Sequence, residues 1–475
     1  MAAKNDSASS FGYTSVLAIF TSFFIAVVIG HIRDQMGKIF IPWRYRFYYE
    51  SENGEPALFT TFDSFFIRRL YRRISDCWNR PIHGVPGRFV EIYERKSEDY
   101  NETFQFTGEK IKALNVGSYN YLGFAYNKGK ITDHVLQSVD KYNINNSYPT
   151  ADYEQNPLCR ELEKEMAEFL HQEDCAVFSM GYGTNTSSMP ALMRNSLIFS
   201  DEKSHTSLIK GIKLSQSMVV IFKHNNMQDL ENKLKFHITQ GEPETHRPWS
   251  KIFVVVEGLY SMEGTVVNLK KLVELKKQYK FYIFMDEAHS IGAMGRTGRG
   301  ICEYVGVEHD DVDILMGTFT KSFGGFGGYI AGKREIIDYL RVNSDFSKYG
   351  EQMSPIVCAQ VMECLRNIKL DRKRLEKLHE NTRRVRRAMK NLRFHLIGDD
   401  DSPIIPLLIP SPGKIGEFSR LCLEMGIAVV VVGYPATPIL LNRVRVCMSS
   451  SHTSEDVDRI ITVFDQVGSL IGMKK

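Results

Sequence analysis

The 475-residue chain contains no Cys-x-x-Cys pair. Its eight cysteines, Cys77, Cys159, Cys175, Cys302, Cys358, Cys364, Cys422 and Cys447, are scattered. That excludes a zinc ribbon or a dithiol redox site and fits a body kept reduced in the cytosol. The chain also lacks Gly-x-x-x-x-Gly-Lys-[Ser/Thr], which excludes a P-loop hydrolase. Net charge is scarce: 60 Lys+Arg against 56 Asp+Glu leave +4. A balance so close to neutral gives no reason to expect a nucleic-acid partner. What is present is apolar bulk. At 43% hydrophobic and 24% charged, the chain can bury a large core, and its length suits two lobes plus appendages.

Phe11 to Ile32 is almost uncharged. At ~1.5 Å per helical residue it is long enough for a ~30 Å hydrocarbon core. A cleaved secretory signal would have a shorter apolar stretch, a basic stretch before it and a small-residue cleavage site after it. Here Lys4 is offset by Asp6, while Arg33, Lys38, Arg44 and Arg46 follow the span against a lone Asp34. The positive-inside rule then places the C-terminal bulk in the cytoplasm, behind a single-pass anchor. Farther on, Phe66, Ile67, Leu70, Tyr71 and Ile74 recur at helical spacing between arginines in Phe65–Ile74. That pattern suits a helix lying on an anionic membrane surface, with packing against the body as the other reading.

The densest chemical signal is Gly317-Thr318-Phe319-Thr320-Lys321-Ser322-Phe323-Gly324-Gly325-Phe326-Gly327-Gly328. One lysine stands between hydroxyls, and glycines follow that let a ligand approach the backbone. A P-loop lysine needs a glycine directly before it and a helix after it. Here Thr320 precedes Lys321, and Tyr329-Ile330-Ala331 reads as a strand. An amine that forms a Schiff base with pyridoxal phosphate is the better reading.

The upstream chain supports it. Ala176-Val177-Phe178 reads as a strand running into Ser179-Met180-Gly181-Tyr182-Gly183 and a helix, the geometry that holds a phosphate on free N–H groups. Lys251–Glu257 and Phe281–Met285 read as buried parallel strands. The second delivers Asp286-Glu287-Ala288-His289 at its carboxyl end, where open α/β sheets bind ligands. An aspartate there can pair with a protonated pyridine nitrogen. The four letters also match a DEAH-box helicase, but that reading needs the missing P-loop. His205 follows another short apolar run. Arg372–Arg393 is a basic helical stretch read as a solvated face. Ile415–Met425 reads as a helix, and Ile427–Val432 as one strand. Arg443-Val444-Arg445-Val446-Cys447 alternates as a strand whose arginines suit a substrate carboxylate.

From about Trp78 to the C-terminus these motifs resemble the α-oxoamine synthases, pyridoxal-phosphate enzymes of fold type I. Within them they resemble the lysine-bearing second subunits of eukaryotic serine palmitoyltransferases. The matching stretches are Gly117–Gly123, Asp201–Ser207, Glu257–Gly264, Asp286–His289, Gly317–Gly324, Pro435–Pro438 and Arg443–Thr453. The resemblance implies an α/β, aspartate-aminotransferase-like fold: a mostly parallel seven-stranded large-domain sheet and a smaller α+β C-terminal domain, preceded by one transmembrane helix. It divides the chain into an anchor (1–35), a juxtamembrane arm (36–105), a cofactor-binding large domain (106–360) and a small domain (361–475).

The resemblance also assigns roles. Lys321 would carry the cofactor, Asp286 would hold its ring nitrogen, His289 its ring hydroxyl, and His205 would stack on its face. Gly181, Tyr182 and Thr318 would bind phosphate. Arg445, with Tyr119 and Asn120, would bind substrate, and no metal is expected. The implied reaction condenses L-serine with a long-chain acyl-CoA, usually palmitoyl, to 3-ketosphinganine, CoA and CO2. This is the first step of sphingolipid synthesis, at the endoplasmic reticulum membrane. The implied partners are a lysine-lacking first subunit in a heterodimer and small activating or regulatory membrane subunits. The alternatives are another amino acid or acyl chain, or a scaffolding subunit of low activity.

Three departures from the family pattern stand out. Asn146–Tyr153 replaces a Ser/Thr-Arg-x-x-x-Gly segment, Cys159 replaces a histidine, and Tyr349-Gly350-Glu351-Gln352 replaces Tyr-x-Thr-Ser.

Overall fold

A computed structural model describes residues 12–43, 65, 67–144, 156–434 and 436–474. Helix α1 (Tyr13–Phe40) has 28 residues. At ~1.5 Å per residue it is about 42 Å long. Leu17, Phe24, Ile25, Val28, Ile29 and Ile32 are exposed on it. Val16–Phe40 is long and apolar enough to cross a membrane.

One stripe of α1 is covered. Gly30, Asp34 and Gly37 are buried at near-helical spacing. His31 stacks on Phe65 with ring centroids 4.0 Å apart. Asp34 accepts from Arg68 Nη2 and Arg69 Nε, each at 2.7 Å. The stretch expected as a surface helix therefore behaves otherwise. Phe65 and Arg68 are 6% and 8% exposed, and Tyr71–Cys77 tightens into a 3-10 helix. Arg72 pairs with Glu102 at 2.9 Å. The described part of this stretch docks on α1 and the body, because a buried carboxylate captures its arginines. Phe66 lies outside the described residues, as do Arg44 and Arg46 of the basic collar.

Strands β1 (Ile82–His83), β2 (Phe89–Lys96) and β3 (Gln105–Asn115) form an antiparallel sheet. The large sheet contains β4 (Asp174–Phe178), β5 (Leu197–Asp201), β6 (Met218–Phe222), β7 (Ile252–Glu257), β8 (Tyr282–Asp286), β9 (Ile314–Thr318) and β10 (Gly328–Gly332). Its order is β4-β10-β9-β8-β7-β5-β6. Only β10 runs antiparallel to its neighbours. The interior strands are buried on both faces, which explains their unbroken apolar runs. Asp201, Glu257, Asp286 and Thr318 are the last residues of four parallel strands. The polar ends thus line one edge of an apolar sheet.

The C-terminal sheet joins β11 (Ile404–Leu408), β13 (Val430–Val432) and β14 (Arg443–Cys447). The run Ile427–Val432, expected as one strand, is two. Strand β12 (Ile427–Ala428) pairs with β3, while β13 pairs with β14. An apolar run carries no mark of a change of partner. Helix α2 (Pro355–Leu370) crosses position 360, where the lobes were expected to divide.

Helix α3 (Lys373–Asn391) is the basic stretch, and it is not uniformly solvated. Arg386 is 2% exposed and donates to the carbonyls of Ile397 and Ile404 at 3.1 and 2.9 Å. Arg374 lies 4.7 Å over the Phe124 ring. Carbonyls and aromatic faces from elsewhere in the chain make those burials possible.

Candidate active site

Lys321 sits in the turn between β9 and β10, over a cavity of about 410 Å³. Lining it are Gly181, Tyr182, His205, Asp286, His289, Thr318 and Lys321. Seven of the ten expected site residues therefore meet in one place. Tyr119 and Arg445 flank it: Lys321 Nζ is 5.9 Å from the Tyr119 ring centre and Arg445 Cζ is 4.2 Å from it. The His289 and Tyr119 rings meet edge-on at 4.5 Å. Asn120 does not line the cavity. Its Oδ1 accepts from Ala125 N at 3.2 Å, and its carbonyl accepts from Ser449 Oγ at 2.6 Å. It braces the turn that presents Tyr119.

Lys321 Nζ donates to Thr318 Oγ1 at 3.4 Å. Burial pulls the Lys321 amine below its usual range, with Asp286 and Glu257 opposing and Arg445 assisting. A larger share is thus neutral, and only the neutral amine is a nucleophile or a base.

Asp286 is held by two donors. Ala288 N reaches Oδ1 at 2.8 Å and Asn185 Nδ2 reaches Oδ2 at 3.0 Å. Asn185 Nδ2 also lies 2.9 Å from Ser207 Oγ, which lies 2.8 Å from His205 Nδ1. Ser207 N donates to the same nitrogen at 3.2 Å. A backbone N–H only donates, so Nδ1 accepts and the proton of the neutral ring sits on Nε2. Burial, against Asp286 and with Lys321, pulls His205 below its usual pKa. Burial likewise pulls His289 well down, helped by Lys321 and Arg445. Its Nδ1 lies 2.9 Å from Tyr121 Oη. Both imidazoles are therefore neutral at neutral pH.

Glu257 is the cross-strand neighbour of Asp286 and accepts from His205 N at 2.6 Å. Burial, and then the Asp286 charge, push its carboxyl well up.

At the other end, Gly181 opens the helix Gly181–Met193, whose first turn has no acidic residue. A Cβ on Gly181 would lie 3.0 Å from Thr318 Cγ2 and 3.2 Å from the Gly327 carbonyl. Gly327, at φ +94°, would put one 2.5 Å from the Phe178 carbonyl. The backbone is therefore close and bare where free N–H groups can take a phosphate.

A flat pyridine aldehyde with a phosphate arm fits this set. The Lys321 amine, the Asp286 carboxylate, the His205 imidazole and the helix N-terminus at Gly181 sit around one cavity. The buried Asn185 Oδ1 has no hydrogen-bond partner among the described residues. Asn185, Ser207, Glu257 and Tyr121 were not singled out from sequence, and no local pattern marks them. Tyr121, Ser207 and Glu257 stand inside the matching stretches and Asn185 just past the phosphate turn, but Asn185, Tyr121 and Glu257 meet Asp286, His289 and His205 across 101, 168 and 52 residues of sequence.

Two of the departures from the family pattern are visible. Cys159 is wholly buried, with Sγ 3.2 Å from Cys358 Sγ. Glu351 is exposed and off the cavity, while Gln352 Oε1 accepts from Asn156 N at 3.2 Å. Residues 148–153 and Pro435 lie outside the described residues.

Residues 111–464 match the family described as aminotransferase class I and II. The chain is 47% identical to serine palmitoyltransferase 2 of Schizosaccharomyces pombe, over 97% of this chain and 78% of that protein. It is 43% identical to serine palmitoyltransferase 2 of Dictyostelium discoideum, over 98% and 95%. The solved structure of Sphingomonas wittichii serine palmitoyltransferase superposes with a TM-score of 0.77 at 26% identity, over 88% of this chain and all of that one. With this lysine pocket at the carboxyl edge of its sheet, the chain belongs to the class I and II aminotransferase family and, within it, to the serine palmitoyltransferase 2 proteins.

Proposed function

We propose that this chain is the lysine-bearing catalytic subunit of a serine palmitoyltransferase. The reaction is the pyridoxal-phosphate-dependent condensation of L-serine with a long-chain acyl-CoA, palmitoyl-CoA foremost, to 3-ketosphinganine, CoA and CO2. One observation carries the reading: Lys321, Asp286, His205 and His289 share one cavity in a chain 47% identical to a serine palmitoyltransferase 2. When bound, pyridoxal phosphate supplies an aldehyde for amines and a cationic ring that draws electrons from the serine Cα.

The chain's own residues do the rest. Lys321 Nζ holds the cofactor until serine arrives, then serves as the amine that accepts and returns the Cα proton. Asp286 keeps the ring nitrogen protonated, and Asn185 and Ala288 fix its two oxygens. Neutral His205 covers a ring face without adding charge. Gly181, Tyr182 and Thr318 hold the phosphate. Arg445, poised over Tyr119, takes the serine carboxylate and so orients the Cα substituents. Met180, Tyr182 and Phe326 rim the cavity and are 52%, 40% and 51% exposed, leaving an apolar entrance for the acyl chain.

A lysine-lacking first subunit is the assigned partner, with small activating and regulatory membrane subunits beside it. The assigned setting is the endoplasmic reticulum membrane, with α1 as a single-pass anchor and the body in the cytosol. The product is an insoluble lipid precursor, which gives the anchor its purpose.

The test is co-expression with the lysine-lacking partner and an assay of serine plus palmitoyl-CoA. The parent protein should yield the ketone. Lys321→Ala should assemble normally and yield none. Full turnover in that variant, or product from glycine or alanine but not serine, defeats the reading.

A further inference from the structure

Between β7 and the following helix, the chain makes a closed hairpin, Leu259–Val266. Leu259 and Val266 bridge antiparallel, Tyr260 N donates to Thr265 O at 3.0 Å and Gly264 N to Tyr260 O at 2.8 Å. Its base is pinned to the large lobe. Asp201 is 2% exposed and collects Lys203 N, His224 Nδ1 and Asn225 N at 2.8, 2.9 and 2.8 Å. His224 Nε2 then meets Thr265 Oγ1 at 2.8 Å. Its tip is pinned to the small lobe. Arg443, with no exposed surface, donates to the Met262 carbonyl at 2.8 Å and lies 3.5 Å from Glu263 Oε1. Lys203 Nζ reaches the same oxygen at 3.2 Å. Glu263 is itself 4% exposed.

These contacts converge on the substrate arginine. Arg443 and Arg445 are i and i+2 on β14, so they share a face. Arg445 Nη1 rests 3.9 Å from Met262 Sδ, next to Glu263. The hairpin is therefore a strut from the Lys321 lobe to the strand that carries Arg445. A buried carboxylate shared by two cations holds its place only while both partners are present.

We propose that Glu263 is a positioning residue for serine recognition: through Arg443 and Met262 it sets where Arg445 stands relative to Lys321. This rests on the assignment of Arg445 to the serine carboxylate. Glu263 itself does not line the Lys321 cavity.

The experiment measures equilibrium binding of radiolabelled L-serine to the cofactor-loaded complex with its lysine-lacking partner, alongside KM and kcat. Glu263→Gln is expected to weaken serine binding about tenfold, the scale of a small displacement of a positioned group. The KM for palmitoyl-CoA and the cofactor absorbance before serine is added should not change. Thr265→Val removes only the hydroxyl that meets His224 and decides the matter if Glu263→Gln does not fold. It should raise the serine KM about threefold, with kcat at saturating serine unchanged. Arg445→Lys serves as the reference and should lose more serine affinity than either. Loss at Arg445 with serine affinity intact in the folded hairpin variant overturns this proposal alone. Intact affinity at Arg445→Lys overturns the carboxylate assignment and this proposal with it.

Discussion

Asn185 Nδ2 donates to Asp286 Oδ2 at 3.0 Å across 101 residues of sequence. It is the side-chain donor that sets the rotation of the carboxylate facing Lys321, and Asn185 is 1% exposed. Hydrogen bonds to charged groups contribute about 1.5–3 kcal/mol. Asn185→Ala is therefore expected to weaken pyridoxal phosphate binding roughly 10- to 100-fold. Absorbance titration of the cofactor-free protein checks this. An unchanged cofactor affinity would show that the backbone N–H of Ala288 suffices to orient Asp286.

Glu287, next to the site aspartate, titrates in the physiological range. Burial pushes its carboxyl from the usual 4.5 up to about 7, against hydrogen bonds from Ser290 Oγ and Ile301 N. A folded-state acid pKa above the unfolded value favours the fold below pH 4.5, and that contribution fades as pH rises through 7. A shift of this size corresponds to about 3 kcal/mol. Glu287→Gln should flatten the dependence of unfolding free energy on pH between about 4.5 and 7. Denaturant midpoints at several pH values measure it, and parallel curves for parent and variant would contradict the assignment.

All eight cysteines are buried. Burial raises the thiols of Cys175, Cys302, Cys422 and Cys447, and the Cys159 hydrogen bond together with burial raises Cys358. Thiolate is the reactive form. Brief treatment of the native protein with iodoacetamide at pH 7 should leave all eight unmodified by mass spectrometry, and unfolding should expose them. Labelling of Cys159 or Cys358 in the native protein would place that pair at a surface.

Asp34 on α1 pairs with both Arg68 and Arg69, at 2.7 and 2.5 Å. Removing one partner of a buried pair costs about 3–5 kcal/mol when the remaining charge stays buried. Asp34→Ala should free Phe65–Arg69 from the helix and speed amide hydrogen exchange there well above the parent rate. Exchange rates at Ile252–Glu257 in the large sheet should not move. Equal protection at Phe65–Arg69 in parent and variant would mean that the His31–Phe65 stack alone holds the segment.

Most of the cavity lining was legible in the chain because chemistry and local order coincide there. Parallel strands buried on both faces read as apolar runs, and a polar residue ending such a run must lie at the sheet edge. That logic located Asp286 and the turn of Lys321 without any knowledge of their neighbours. Helix α1 was legible for the same reason: a long apolar run with few charges is itself a pattern that local sequence carries. Other features depended on partners distant in sequence. Asn185 and Glu257 gain their roles from Asp286 and His205, brought together only when the strands align. Asn120 stands beside Tyr119 in sequence yet turns to brace Ala125. Arg386 is buried because the carbonyls of Ile397 and Ile404 happen to receive it. Ile427–Val432 divides between two sheets, and Arg68 abandons the surface for Asp34. Periodicity and residue type determine what a segment needs; which group meets that need is a matter of three-dimensional proximity, and only the folded chain decides it.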